Sequence, residues 1–242
     1  MKAYKHVLTN KDDIDLELYS GVFTPTATTN VLIDSIIDKI NSWDKILDLG
    51  CGSGIVGIVL AKKIPFKSKI FASDLSDVTI DCARKNYLNH DVICDARCGS
   101  LFDPWENEKF DVIIDDISGI SEAVAKSSSW FQGVPCESGI DGADLTIQVI
   151  KNASKYMNLK AVLYIPVISL SNEKLILTKA SEHFKEVNLI KSVTWPLPPD
   201  LSSHKNELEN LRERGHISYE DKFGMMLCTT TIYELKDPWN EK

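Results

Sequence analysis

The stretch Leu47-Asp-Leu-Gly-Cys-Gly-Ser-Gly-Ile-Val-Gly57 decides the fold of this chain, because it holds four of the chain's twelve glycines. It joins a predicted strand at 45–49 to a predicted helix at 55–63. Glycines at such a junction let the backbone turn tightly and approach a ligand, while the start of the helix offers free N–H groups and the positive end of its dipole. The stretch therefore predicts a ligand-binding loop between a strand and a helix.

Two ligands compete for this loop. The spacing Gly52-x-Gly54-x-x-Gly57 satisfies the dinucleotide fingerprint, and Asp74 ends the next predicted strand, where an acid that binds ribose hydroxyls is expected. Asp48, however, precedes the first glycine by two residues and would repel a pyrophosphate. S-adenosylmethionine has no phosphate and carries a cationic end that an acid can help to hold. We expect S-adenosylmethionine, and an NAD(P)-dependent oxidoreductase is the alternative.

Strands and helices alternate along most of the chain, which predicts an α/β fold with a mostly parallel sheet of seven strands and helices on both faces. The predicted strands are 45–49, 69–74, 91–97, 110–115, 161–168, 187–195 and 225–235. The predicted helices between them are 55–63, 77–89, 142–156 and 172–184.

Two regions depart from the alternation. Residues 1–42 form an N-terminal extension with a turn-rich piece at 21–29 and a first helix near 30–41. Residues 196–223 lie between the last two strands and contain a charged helix near 203–214. An insertion of this size favours a lid or a surface that binds a partner, and Trp195 with the adjacent prolines could form one wall of a substrate pocket. The remaining residues of 43–242 are predicted to form the main domain.

The composition excludes several classes of protein. The 242 residues include 27 Lys and Arg against 35 Asp and Glu, a net charge of −8, and 43% are hydrophobic, as in an ordinary globular chain. The longest apolar runs, 55–61 and 161–168, are too short to cross a bilayer, and residues 1–20 do not resemble a signal peptide. We therefore expect a cytoplasmic protein with no membrane partner.

The six cysteines are expected to be reduced thiols. His90, Cys94 and Cys98 are spaced by four residues, which would align them on a helix, but their segment is predicted as a strand that enters a turn. No paired-cysteine spacing typical of zinc sites occurs. No metal site is expected.

The loop Leu47-Asp-Leu-Gly-Cys-Gly-Ser-Gly54 strongly resembles the first motif of class I S-adenosylmethionine-dependent methyltransferases. Three further stretches resemble the small-domain group of these enzymes, which includes the release-factor glutamine methyltransferases: Phe23-Thr-Pro-Thr-Ala-Thr-Thr-Asn30, Gly99-Ser-Leu-Phe102 and Ser138-Gly-Ile-Asp-Gly-Ala-Asp-Leu145. The resemblance covers about 21–168 and implies a Rossmann-like class I methyltransferase fold.

The resemblance also implies roles for individual residues. The glycine loop would take the methionine part of the cofactor, Asp74 the ribose, and Leu101 and Phe102 the adenine ring. Ser100 stands where the family has an acid that holds the adenine amino group. The expected cofactor-binding set is Thr29, Asp48, Gly50, Gly52, Gly54, Asp74, Leu75, Ser100, Leu101, Phe102 and Asp116.

The catalytic motif departs from the family. Residues 116–119 read Asp-Ile-Ser-Gly where the small-domain enzymes have Asn-Pro-Pro-Tyr, so methylation of a glutamine amide or of adenine is not supported. Asp116 is the expected catalytic residue, because a carboxylate at this strand end can orient an amine or accept a hydroxyl proton. Side chains alternate along a strand, so Asp115 and Asp116 should face opposite ways.

We expect methyl transfer to an oxygen or nitrogen atom of a small molecule or a protein side chain. If Glu137, Asp141 and Asp144 converge with Asp116, a cationic acceptor is favoured. The net charge of −8 and the presence of only four arginines make nucleic acid the less expected partner. The altered catalytic motif leaves a third hypothesis open, namely that the chain is an inactive methyltransferase-like binding module.

Overall fold

The computed structural model describes residues 1–65, 69–222 and 224–239. Its strands are β1 Lys2–Val7, β2 Asp13–Leu18, β3 Ile46–Leu49, β4 Ile70–Asp74, β5 Cys94–Cys98, β6 Phe110–Asp115, β7 Met157–Ile168, β8 Phe184–Pro196, β9 Glu220–Lys222 and β10 Met225–Pro238. Its α-helices are α1 Ala27–Ile36, α2 Ile55–Lys63, α3 Asp77–Asn89, α4 Glu122–Ser127, α5 Asp144–Asn152, α6 Glu173–His183, α7 Pro199–Ser202 and α8 Lys205–Glu213. None of the described helices is long and apolar enough to cross a membrane.

The central sheet has the strand order β5-β4-β3-β6-β7-β10-β8, and β9 pairs with β10. The neighbours from β5 to β7 run parallel, whereas β10 is antiparallel to both β7 and β8. The predicted α/β fold with a mostly parallel, Rossmann-like sheet is confirmed. The chain runs outward from β3 to β5 and then returns to the other side of β3 as β6, which creates a switch point between β3 and β6.

Apolar residues on both faces of the sheet form two cores. Ile46 of β3 packs beneath α1 and α2, while its neighbours Leu47 and Leu49 face the core under α5 and α6. Because each central strand is covered on both faces, its apolar run is nearly continuous, as in β6, where Phe110, Val112, Ile113 and Ile114 are all buried. The burial leaves only the strand ends available for polar chemistry.

The N-terminal region differs from the prediction. Residues 2–18 form an antiparallel hairpin of β1 and β2 that was not predicted, and Ile14, Leu16 and Leu18 on its buried face pack toward α2 and α3. The first helix starts at Ala27, three residues earlier than predicted. The Tyr4 hydroxyl donates to the Pro25 carbonyl at 3.3 Å, which ties the hairpin to the segment before this helix.

The predicted insertion contains α7, α8 and β9, and its final residue, Phe223, lies outside the described residues. Leu208 and Leu211 of α8 belong to the same buried apolar cluster as Ile120 and as Val124 of α4. The role of this insertion as a lid and the domain boundary at 42/43 stay predictions.

Candidate functional site

A cavity of about 1030 Å³ opens at the carboxyl ends of β3, β4 and β6. It lies at the switch point of the sheet, where open α/β folds bind their ligands. Gly50, Asp74 and Asp116, which follow or end these three strands, all line it. Its volume is at the upper end of the range of roughly 300–1,000 Å³ typical of ligand pockets, which leaves room for more than one small ligand.

The glycine loop forms one wall of the cavity and requires its glycines. Gly50 has a φ of +72°, and a Cβ there would lie 2.7 Å from Cγ2 and 2.8 Å from Cα of Ile117. The backbone N–H groups of Gly50 and Cys51 donate to the Ser73 carbonyl at 2.9 and 3.0 Å, which anchors the loop to β4. The loop is therefore held between β4 and the residues that follow β6. Gly54, at the start of α2, does not line the cavity.

Asp74 connects the end of β4 to the loop. One carboxylate oxygen accepts the N–H of Gly52 at 3.1 Å, and the other accepts the N–H of Ser76 at 3.3 Å. Burial raises the pKa of Asp74, and these backbone hydrogen bonds lower it. An ionised carboxylate has lone pairs beyond those used by two donors, so Asp74 can still accept from a vicinal diol in the cavity.

Asp48 lies beneath the loop and not on the cavity surface. It is fully buried, and neither of its carboxylate oxygens has a hydrogen-bond partner among the described residues. Burial raises its pKa to about 7, and the nearby Asp74 adds to the rise, while the Gly57 amide opposes it. A buried acid with so little hydrogen bonding is costly to ionise, and a positive charge nearby would offset that cost.

Asp115 and Asp116 face opposite sides of the sheet, as the alternation requires. The Asp115 side chain is buried and accepts the N–H of Ile117 at 3.2 Å, while Asp116 lines the cavity. The β3–β6 register pairs Asp48 with Ile114, so Asp48 and Asp116 lie on one face on adjacent strands. Burial, followed by the charges of Asp48 and Asp115, raises the pKa of Asp116 well above its usual range.

The end of the cavity beyond Asp74 has both expected and unexpected residues. Leu75, Ser100 and Leu101 line this end, and Thr29 lines another wall of the cavity. Phe102 does not line the cavity, because its ring stacks on Tyr156 in the core at a centroid distance of 4.4 Å. Two lining residues of α5 were missed by the sequence analysis, Leu145 and Gln148. They are three positions apart and so lie on one face of α5, and this helical spacing could have identified them in the sequence.

The opposite end of the cavity is lined by aromatic and proline side chains. Trp195 and the adjacent prolines line it, as the sequence suggested, whereas no residue of α8 does. The sequence analysis named Glu137 of segment 130–137 but missed Trp130 and Phe131, which also line the cavity. The rings of Phe23 and Phe131 meet at a centroid distance of 5.0 Å, so this segment contacts the turn-rich N-terminal piece.

The four acids that the sequence placed at a possible acidic mouth do not all converge. Asp116 and Glu137 line the cavity, but Asp141 and Asp144 do not. Asp141 instead accepts a hydrogen bond from the Asn172 side chain at 2.8 Å. The cavity thus has two acids at this end, not four.

Comparisons with known proteins point to one family. Residues 15–116 match the family model of the methyltransferase small domain. The release factor glutamine methyltransferase of Geobacter sulfurreducens is 25% identical over 150 residues, which cover 60% of this chain and 52% of that protein. The ribosomal RNA small subunit methyltransferase C of Haemophilus influenzae is 23% identical over 218 residues, which cover 88% of this chain and 52% of that protein. The chain thus spans about half the length of these curated relatives.

Among solved structures, the Thermus thermophilus 16S rRNA N2 G1207 methyltransferase, in complex with S-adenosylmethionine and guanosine, superposes with a TM-score of 0.62. The match covers 98% of this chain and 50% of that one at 11% identity, and it shows a shared fold. Proteins named for ribosomal RNA therefore occur among both the sequence relatives and the structural neighbours. The expectation that nucleic acid is the less probable partner is wrong, because net charge is summed over the whole chain and does not report the local surface that binds a substrate.

The match of the small-domain model, the sequence relatives and the strand order agree with the resemblance carried by the glycine loop. One of these structural neighbours is in complex with S-adenosylmethionine, and another is in complex with S-adenosylhomocysteine. Residues 15–116 match the methyltransferase small domain, and the chain has the Rossmann-like fold of the S-adenosylmethionine-dependent methyltransferases among its structural neighbours.

Proposed function

We propose that this chain transfers a methyl group from S-adenosylmethionine to a nitrogen or oxygen atom of an acceptor held over Asp116, with a small molecule or a protein side chain as the acceptor. The observation that carries the proposal is the pair of acids on adjacent strands, Asp48 buried without a partner and Asp116 beside it at the cavity. Among the described residues, no positive side chain contributes to the pKa shift of either acid, whereas the cofactor carries two positive groups.

The residues present fit this cofactor. Its ammonium and sulfonium groups would lie near Asp48 and Asp116, and its ribose diol would reach Asp74. Gly52 leaves space beside the loop for close approach of a ligand to the backbone, whereas Gly50 makes room for Ile117. Leu75 and Leu101 offer apolar surface for the adenine ring, and the side chains of Ser100 and Gln148 offer hydrogen-bonding groups at its edge.

When bound, the cofactor would supply an electrophilic methyl group, and its sulfur would keep the electron pair of the C–S bond. The chain supplies position and proton control. Asp116 follows the end of β6 at the cavity wall, where its carboxylate can orient the acceptor and take up a proton from it. A nearby positive charge favours the ionised form of Asp116, which opposes the rise in its pKa caused by burial.

A second candidate acceptor is a nucleobase in RNA, which the names of the ribosomal RNA methyltransferases among the relatives favour. Aromatic side chains at the cavity, such as Phe131 and Trp195, are of the kind on which an unstacked base can stack. The size class of the methylated product separates this candidate from the first.

The test is to incubate the protein with S-adenosylmethionine labelled in its methyl group and a cell extract, and to separate the labelled products into small molecules, protein and RNA. We expect label in one fraction. Asp116→Asn should lower the transfer at least a hundredfold, since positioned acid–base groups contribute about 10²–10⁴-fold. Asp38→Asn, an exposed acid that does not line the cavity, is the matched control and should leave the transfer unchanged.

Other outcomes would contradict the proposal. Binding of S-adenosylmethionine without label in any fraction would support the inactive binding module. Tight binding of NADH without binding of S-adenosylmethionine would establish the oxidoreductase instead.

We also propose a cytoplasmic location. All six cysteines are free thiols in the structure, including the exposed Cys98. Free exposed thiols persist in a reducing compartment. Fluorescence microscopy of the tagged protein tests this location.

A further inference from the structure

The half of the cavity that faces away from the glycine loop, here called the acceptor half, has a distinct chemistry. Its walls are made mainly of aromatic and proline side chains, among them Phe23, Trp130, Phe131, Pro166 and Trp195. These come from four separate parts of the chain, so the apolar character is a property of the assembled cavity and not of one motif. An acceptor with an apolar body would bury well here.

The charges along the cavity all have one sign. Among the described residues that line it, the charged side chains are Asp74, Asp116 and Glu137, and no Lys, Arg or His occurs. Asp74 is engaged by the Gly52 and Ser76 amides at the cofactor end. Asp116 and Glu137 are therefore the charges that an acceptor would meet.

We propose that the acceptor is an amine carried on an apolar body, which binds in its ammonium form between these two acids and the aromatic rings. The inference rests on the proposed methyltransferase function and names the substrate class of the same site. An ammonium group gains from a carboxylate and from the faces of aromatic rings at once, whereas an alcohol gains from neither as strongly. A carboxylate or a phosphate at this place would meet only negative side chains.

Asp116 also has a part in making the amine reactive. An ammonium nitrogen has no lone pair, so its N–H bond must break and the proton must pass to the Asp116 carboxylate, where an O–H bond forms. The freed lone pair then forms the N–C bond as the C–S bond breaks. The product is a methylated ammonium, the proton stays on Asp116 until solvent removes it, and charge is conserved throughout.

The proposal is tested by measuring the binding of three matched probes to the protein saturated with S-adenosylhomocysteine. The probes share one phenyl ring and a two-carbon chain and differ in their end group: 2-phenylethylamine, 2-phenylethanol and 3-phenylpropanoate. Affinities are measured by ligand-observed NMR at pH 7.5. We expect the amine to bind at least tenfold more tightly than the alcohol, and the carboxylate to bind more weakly than both.

Four variants locate the effect. Glu137→Gln, at an exposed position, and Asp116→Asn should each weaken the amine severalfold and leave the alcohol unchanged. Trp195→Leu should weaken the amine more than Trp195→Phe does, because phenylalanine keeps a ring face for the ammonium. Circular dichroism of each variant verifies that it is folded.

Several results would overturn the proposal. The proposal is wrong if the amine and the alcohol bind equally, if the carboxylate binds best, or if no probe binds. It is also wrong if guanosine binds more tightly than the amine, because the acceptor half would then bind a nucleobase. Binding of S-adenosylhomocysteine is recorded separately. Its loss would refute the proposed function, whereas its presence without amine preference would refute only the acceptor class.

Discussion

Replacing Asp48 with asparagine should make the protein more stable at pH 8 and should lower its affinity for S-adenosylmethionine. The side chain is fully buried, both of its oxygens lack a hydrogen-bond partner among the described residues, and burial raises its pKa to about 7. Asparagine has almost the same shape without the charge. The substitution therefore removes a buried charge and leaves the packing of β3 intact.

The magnitude follows from the pKa. The carboxyl binds its proton more tightly in the native protein than in the unfolded chain, so native stability falls as the pH rises from 3.8 to about 7 and stays at the lower value above that. The difference between these pKa values corresponds to about 4 kcal/mol at most. The stability gained by Asp48→Asn should therefore grow by about 2 to 3 kcal/mol between pH 5 and pH 8.

Urea unfolding of both proteins at pH 5, 6, 7 and 8 measures this gain. Asp95→Asn is the matched control, since Arg97 holds the Asp95 carboxyl at 2.9 Å and keeps its pKa at about 2. The stability that Asp95 contributes is complete above pH 4 and is lost only as the pH falls toward 2, so this variant should lose the same stability at pH 5 and pH 8. The reasoning about Asp48 is refuted if its variant shows a gain that does not change with pH, or is less stable than the wild type at pH 8.

Three further outcomes are expected. Gly50→Ala should lower stability by about 1–2 kcal/mol from its left-handed φ alone, and should also weaken S-adenosylhomocysteine binding more than tenfold in calorimetry, because its Cβ would push the Ile117 backbone at the cavity wall. Gly57→Ala should lower the urea midpoint by an amount equivalent to about 1–3 kcal/mol, since its Cβ would lie 2.5 Å from the buried Tyr87 hydroxyl. Binding of S-adenosylmethionine at pH 6.5 should release a fraction of a proton, seen as a binding enthalpy that depends on the buffer, and Asp48→Asn should reduce that release, because a cation favours the ionised carboxyl.

The sheet and the cofactor end of the cavity were predictable because their signals are local. A glycine loop between a strand and a helix, and an acid at the end of the next strand, are consecutive features of the chain, and parallel strands bring their carboxyl ends to one edge. Helices α2 and α3 were predicted with the bounds that the structure has. Strands covered on both faces also have continuous apolar runs that stand out from the sequence.

The acceptor half was not predictable in the same way. Segment 130–137 has little regular structure, and its contact with Phe23 joins residues more than a hundred positions apart. The hairpin at 2–18 was missed although β2 alternates three acidic with three apolar residues, which is the pattern of a half-buried strand. Sequence also could not show that Asp48 is buried without a partner, or that Phe102 packs on Tyr156, since both depend on how the strand ends pack against the following loops.

Calorimetric titration of the protein with S-adenosylhomocysteine tests the central claim most directly, with Asp74→Ala beside the wild type. The wild type should bind one equivalent, and Asp74→Ala should bind at least tenfold more weakly, because the loss of the carboxylate removes hydrogen bonds to the ribose that are charge-assisted. No binding to the wild type, or equal binding to both proteins, would contradict the assignment of this cavity to the cofactor.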